Sequence, residues 1–193
     1  MNLRIISSAM ALGILIAGGA ADCGATVNPA STEGTAQARF RPYASVSLGG
    51  GATCVVGATS DDDGMNQRPR VSVSDGAVEL WAKDIGISPE YDGGRATHCL
   101  RRGSSLYVLL QVDTQSQQSL SQTQLEMVRL NYLNGGREGG KEVRVAEASG
   151  AYTAWVAKGT ENFYSTSHAM VISGKYRPLD AEEVHTFSTT VDF

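Results

Sequence analysis

The run Leu106-Tyr107-Val108-Leu109-Leu110-Gln111-Val112 decides how this chain is read. It is nearly continuous in apolar side chains, which fits a strand covered on both faces. Working back from it, Pro89, Asp92, Gly93 and Gly94 mark a loop, with Cys99 just beyond. Val71–Ser74 and Ala77–Lys83 form two strand candidates around Asp75-Gly76, a strong hairpin signal. Tyr43–Leu48 alternates, turns at Gly49-Gly50-Gly51 and continues as a short apolar run through Cys54, Val55 and Val56, which reads as another hairpin.

Working forward, Asp113–Gln124 is a polar break rich in Gln and Ser. Leu125–Leu133 resumes as a strand, with a helix over Leu120–Tyr132 as the competing reading, because short apolar runs separate the two periods poorly. Asn134-Gly135-Gly136 and Gly139-Gly140 read as turns. Glu142–Ala148 and Ala151–Ala157 flank Ser149-Gly150, which predicts a tight hairpin. His168–Ser173 and His185–Phe193 supply two more strands, separated by Lys175–Glu183, where Pro178 and Asp180–Glu183 suggest a turn or one helical turn. With 22 Gly, 7% aromatic and 19% charged residues, the composition suits many short strands with frequent turns, and long amphipathic helices are not evident.

The N-terminus carries an address. Arg4 leads into an apolar run from Ile5 to Ala17 that ends in Gly18-Gly19-Ala20-Ala21, the pattern of a secretory signal rather than of an anchor, which needs about 20 apolar residues. Residues 1–25 are therefore expected to be a signal peptide, 26–42 a flexible tether and 43–193 a single β-sandwich domain in the periplasm or outside the cell. Cleavage after Ala20 or Ala21 leaves Cys23 near the new terminus, and cleavage after Ala25 removes it. A third reading lipidates Cys23, and membrane contact is expected only in that case. The remaining pair, Cys54 and Cys99, is expected to form a disulfide in an oxidising compartment.

A net charge of −4 gives no basic footprint, so no nucleic-acid partner is expected. Asp61-Asp62-Asp63-Gly64 gathers hard oxygen ligands, but the spacing of a Ca²⁺ loop would put Arg70 where the bidentate carboxylate belongs, so a solvated acidic turn is favoured. The three histidines, His98, His168 and His185, form no ligand-spaced pair. No Gly-x-Ser-x-Gly turn presents a nucleophile, and a Cys99–His98 pair would need a bulge to bring both side chains to one face. No metal, cofactor or catalytic residue is called for. Phe187, Thr189, Val191 and Phe193 alternate to an aromatic end, as in outer-membrane barrels, but the strands are short for that architecture.

Val128–Gly136, Val143-Arg144-Val145 and Ser149–Val156 resemble the strand, Gly-rich loop, strand and Ser-Gly-x-Tyr hairpin of bacterial immunoglobulin-like and fibronectin-like proteins. That resemblance implies an immunoglobulin-like antiparallel β-sandwich with Trp155 or Trp81 as a core anchor, and it carries no binding residue with it. Ala148-Ser149-Gly150-Ala151-Tyr152 with Lys158-Gly159 is also similar to the signature loop of periplasmic inhibitors of chicken-type lysozyme. Ser149, Gly150, Tyr152 and Lys158 would then form an inhibitory loop, with Ser149 entering the lysozyme cleft. The leading expectation is an exported binding or assembly protein that recognises a protein or glycan of the cell envelope through loops Ser60–Pro69, Lys83–Arg95 and Asn134–Lys141. An inhibitor of a secreted hydrolase such as lysozyme and a secreted hydrolase are the alternatives.

Overall fold

In the computed structural model, residues 39–114 and 121–192 are described, and they fall in one compact unit. The expected signal peptide, Cys23, most of the tether and Phe193 lie outside the described residues. Twelve strands follow one another: β1 Arg39–Gly49, β2 Ala52–Ser60, β3 Arg68–Asp75, β4 Val78–Asp84, β5 Tyr91–Arg102 and β6 Ser105–Thr114. The rest are β7 Thr123–Asn131, β8 Arg137–Val143, β9 Tyr152–Trp155, β10 Phe163–Ser165, β11 Ala169–Pro178 and β12 His185–Asp192. A 3₁₀ turn at Thr160–Asn162 precedes β10, and no α-helix occurs among the described residues.

The strands pair antiparallel in three four-stranded sheets: β1-β2-β3-β4, β5-β6-β7-β8, and β10-β11-β12 with β9 also on β11. The expected all-β architecture is present, built from three sheets where the sandwich expectation had two. The reason lies in the strand that opened the sequence reading. Leu106, Val108, Leu110 and Val112 of β6 join Cys54, Val56, Val71, Val73 and Trp81 of the first sheet in one core. Tyr107 and Leu109, on the opposite parity, join Val145, Val156, Phe163, Met170, Ile172 and Phe187 in a second core. Alternate side chains leave a strand on opposite faces, so one apolar run fills two layers.

Cys54 of β2 is bonded to Cys99 of β5, tying the first sheet to the second across a separation of 45 residues. In the chain-entropy account, closing a loop of this size stabilises the fold by roughly 4 kcal/mol. Trp81 is the buried anchor of this side, and its indole N–H donates to Tyr132 O at 2.8 Å. Gly135 allows the approach: its φ is +65°, and a Cβ there would lie 2.8 Å from the Trp81 ring.

The β1–β2 hairpin on Gly49–Gly51 and the β3–β4 hairpin on Asp75-Gly76 form as the sequence predicts. β7 is a strand, which decides against the helix over Leu120–Tyr132. Five expectations are corrected. β1 begins at Arg39, so the strand takes in Arg39–Pro42 of the expected tether. Gly93 and Gly94 sit within β5 rather than in a loop, because β5 presses on β6 so closely that a Cβ at Gly94 would lie 2.7 Å from Gln111 O. Gly139 and Gly140 are ladder residues of β8, opposite Arg129 and Val128. Ser149-Gly150 does not join two paired strands: β8 pairs with β7, while β9 pairs with β11 in the third sheet. Gly150 keeps its turn conformation at φ +74°, so the turn was legible and its partner strand was not. β11 runs on through Lys175–Pro178, where a turn was expected, since those residues pair with β9 on one edge.

Candidate functional site

Two of the three predicted loops meet at one place. The backbone N–H of Gly94 donates to Gln67 O at 3.1 Å, fixing the β2–β3 loop against the start of β5. Within that loop Asp61 serves its own chain: its carboxylate accepts from Met65 N at 2.6 Å and from Asn66 Nδ2 at 2.8 Å. Both oxygens are thus committed to shaping the turn, the role expected of a side chain that mimics a backbone acceptor.

Beside this junction β1 crosses β2 at Gly57, where a Cβ would lie 2.2 Å from Arg41 O, so only glycine lets the strands approach. The register then slips between Pro42 and Ala44, leaving Tyr43 as the extra residue of a bulge. A bulge re-aims the side chain it carries. Tyr43 lies under Arg95 of β5, whose Cζ is 5.3 Å from the ring centroid, and under Lys158, whose Nζ is 4.7 Å from it. Cations so placed are attracted to the ring quadrupole by about 0.5–1 kcal/mol each at exposed sites.

Around Tyr43 a cleft of about 210 Å³ is lined by Arg41, Pro42, Ala58, Ser60, Gln67 and Arg95. Arg41 and Arg95 are exposed, and neither has a carboxylate partner or hydrogen-bond acceptor among the described residues. Arg39 and Arg70 nearby do have such partners, in Asp62 and Asp84. Ser60 is 4% exposed and its hydroxyl has no hydrogen-bond partner. A buried unpaired hydroxyl is costly in an otherwise satisfied structure and calls for an explanation.

Tyr43 is also a wall of a second cleft of about 280 Å³, shared with Val46, His98, Lys158, Thr160 and Phe163. Its His98 is buried, with Nδ1 3.0 Å from Thr97 Oγ1 and Nε2 3.0 Å from Ala157 O. Burial lowers its pKa below the usual 6.5, against the opposing pull of the Ala157 and Gly159 backbone and of Glu161. β5 does bulge, at Thr97 between Ala96 and His98, but His98 and Cys99 stay in regular register beyond it and face opposite sides, and Cys99 is spent in the disulfide.

The third predicted loop meets the second elsewhere. Arg137 donates to Gly86 O at 2.6 Å and pairs with Glu126, beside a wider cleft of about 560 Å³ that contains Glu90, Tyr91 and Glu142. Burial, then Glu90, Glu126 and Glu142, push the Tyr91 phenol up, and it donates to Gln124 Oε1 at 3.2 Å. Arg137 and Arg144 answer two of these carboxylates, Glu126 and Glu142.

The four residues of the lysozyme-inhibitor resemblance take separate roles. Ser149 and Gly150 are exposed, while Tyr152 is half-buried, accepts from Val145 N at 3.2 Å and meets Tyr176 edge-on. Lys158 lies over Tyr43. Sequence reasoning counted Ser60, Gln67 and Arg95 among its loops but left Arg41 in the tether and passed over Tyr43 as a ligand-side residue; a bulge has no local signature that would have revealed them. Comparison with protein-family models, with curated proteins and with solved structures finds no match to this chain.

Proposed function

We propose that this chain is an exported envelope protein, periplasmic or secreted, that recognises another envelope component without catalysing a reaction on it, and that the cleft beside Tyr43 is its contact surface. The signal-like pattern from Arg4 to Ala21 and the Cys54–Cys99 bond support the address, because disulfides persist in oxidising compartments. One observation carries the recognition reading. In a chain of net charge −4, two arginines without an ion-pair partner line one cleft, and one of them, Arg95, packs on a bulged tyrosine. Cationic donors that line a concave site without a carboxylate partner are what an anionic ligand needs.

The test is co-sedimentation of the purified protein with envelope fractions of the producing cell. Arg95→Glu is expected to remove the wild-type protein's binding, while Arg144→Glu, at an exposed position away from the cleft, leaves it intact. Equal binding by both variants would overturn the assignment of the surface.

A further inference from the structure

We propose that the cleft between Arg41 and Arg95 binds the carboxylate of an acidic saccharide, an inference that rests on the recognition reading above and names its ligand class. The donor set is one-sided. Arg41 and Arg95 supply guanidinium N–H groups, the Gln67 amide has capacity beyond its own Nε2 bond to Gly64 O at 3.5 Å, and no carboxylate lines the cleft. Guanidinium forks match a planar oxyanion, and charge-assisted bonds of this kind are about twice as strong as neutral ones.

The remainder of the lining is apolar or neutral: Pro42, the Ala58 methyl and the Tyr43 ring edge the space. A sugar offers that mixture, with C–H faces for the apolar wall and hydroxyls for Gln67. The volume of about 210 Å³ is below the roughly 300–1,000 Å³ of sites for drug-sized ligands, which suits one sugar ring. Ser60 also borders the cleft, but its hydroxyl oxygen is closed off from solvent and makes no contact with a bound sugar in this arrangement. Tyr43 acts as a positioning residue, holding Arg95 on one cleft and Lys158 on the other.

The experiment is calorimetric titration of the intact protein with trigalacturonate, the neutral sugar maltotriose and inorganic phosphate at low salt, with Arg41→Ala and Ser60→Ala as variants. Trigalacturonate is expected to bind and maltotriose not to bind. Arg41→Ala is expected to weaken trigalacturonate by about tenfold or more, as removal of a charge-assisted bond does. Ser60→Ala serves as the control: it is expected to leave trigalacturonate binding unchanged and the melting temperature unchanged or higher, because it removes a closed-off unpaired hydroxyl.

Equal binding of maltotriose, binding of phosphate without trigalacturonate, or trigalacturonate binding indifferent to Arg41→Ala would each overturn the proposal. Absence of trigalacturonate binding while Arg95→Glu still abolishes envelope co-sedimentation would overturn the ligand class and leave the recognition reading standing. Insensitivity of both measurements to the arginines would overturn both.

Discussion

Adjacent residues of β5 hold the two halves of this molecule by different means. Cys99 faces the first sheet and is bonded to Cys54, whereas His98 faces the third and reaches Ala157 O through a buried ring nitrogen. On the first side the tie is covalent, with Trp81 packed beneath it. On the other, short strands β9 and β10, of four and three residues, both lean on β11, and the contacts are apolar and aromatic. The contrast teaches that β6 is the shared element, since its alternate side chains complete both cores.

The largest expected effects come from that strand. Leu110→Ala and Leu109→Ala empty fully buried positions on opposite faces of β6, and each is expected to cost about 2–5 kcal/mol in urea unfolding. The two tryptophans report on different outer sheets, Trp81 on β4 and Trp155 on β9. Because β6 belongs to both cores, single-tryptophan versions of each leucine variant are expected to unfold in coincident transitions; separated midpoints would show two independently stable halves.

Next in size is the covalent tie. Cys54→Ala/Cys99→Ala is expected to lose about 2–4 kcal/mol and to bring the Trp81-reported midpoint down at least as far as that of Trp155. A loss seen only by Trp155 would break the assignment of the bond to the first side.

The smallest effect belongs to His98. Its folded pKa is depressed by burial below the 6.5 of an exposed imidazole, so on acidification the unfolded chain takes up the proton first. The stability it supports is present above about pH 6.5 and is lost as the pH falls from there through the folded value. Denaturant midpoints compared at pH 7.5 and pH 5 are expected to show a drop that His98→Gln diminishes. An unchanged drop in the variant would assign the pH response to other groups.

Much of the first side was legible because its signals are local. Gly49–Gly51 and Asp75-Gly76 set two hairpins, and the run from Leu106 to Val112 declared a strand covered on both faces. The Cys54–Cys99 pair followed from compartment and count. The third sheet was not legible, because Tyr152 finds Pro178 across 26 positions and turn chemistry says nothing about so distant a partner. β8, with the sequence Arg137-Glu138-Gly139-Gly140, lacks the apolar alternation of a half-buried strand, since it sits at a sheet edge and is mostly exposed. The cleft was half visible: Arg95 and Ser60 bounded predicted loops, whereas Arg41 and Tyr43 reach it only because β1 bulges and crosses Gly57.

The Cys54–Cys99 bond encloses β3, β4 and the exposed loop around Asp62 within one covalent ring. A peptidase that clips this loop opens the ring without dividing the molecule, and the two pieces travel together until a reductant is added. In surroundings rich in proteolytic enzymes, the acidic loop can therefore be nicked while the strands on either side stay joined.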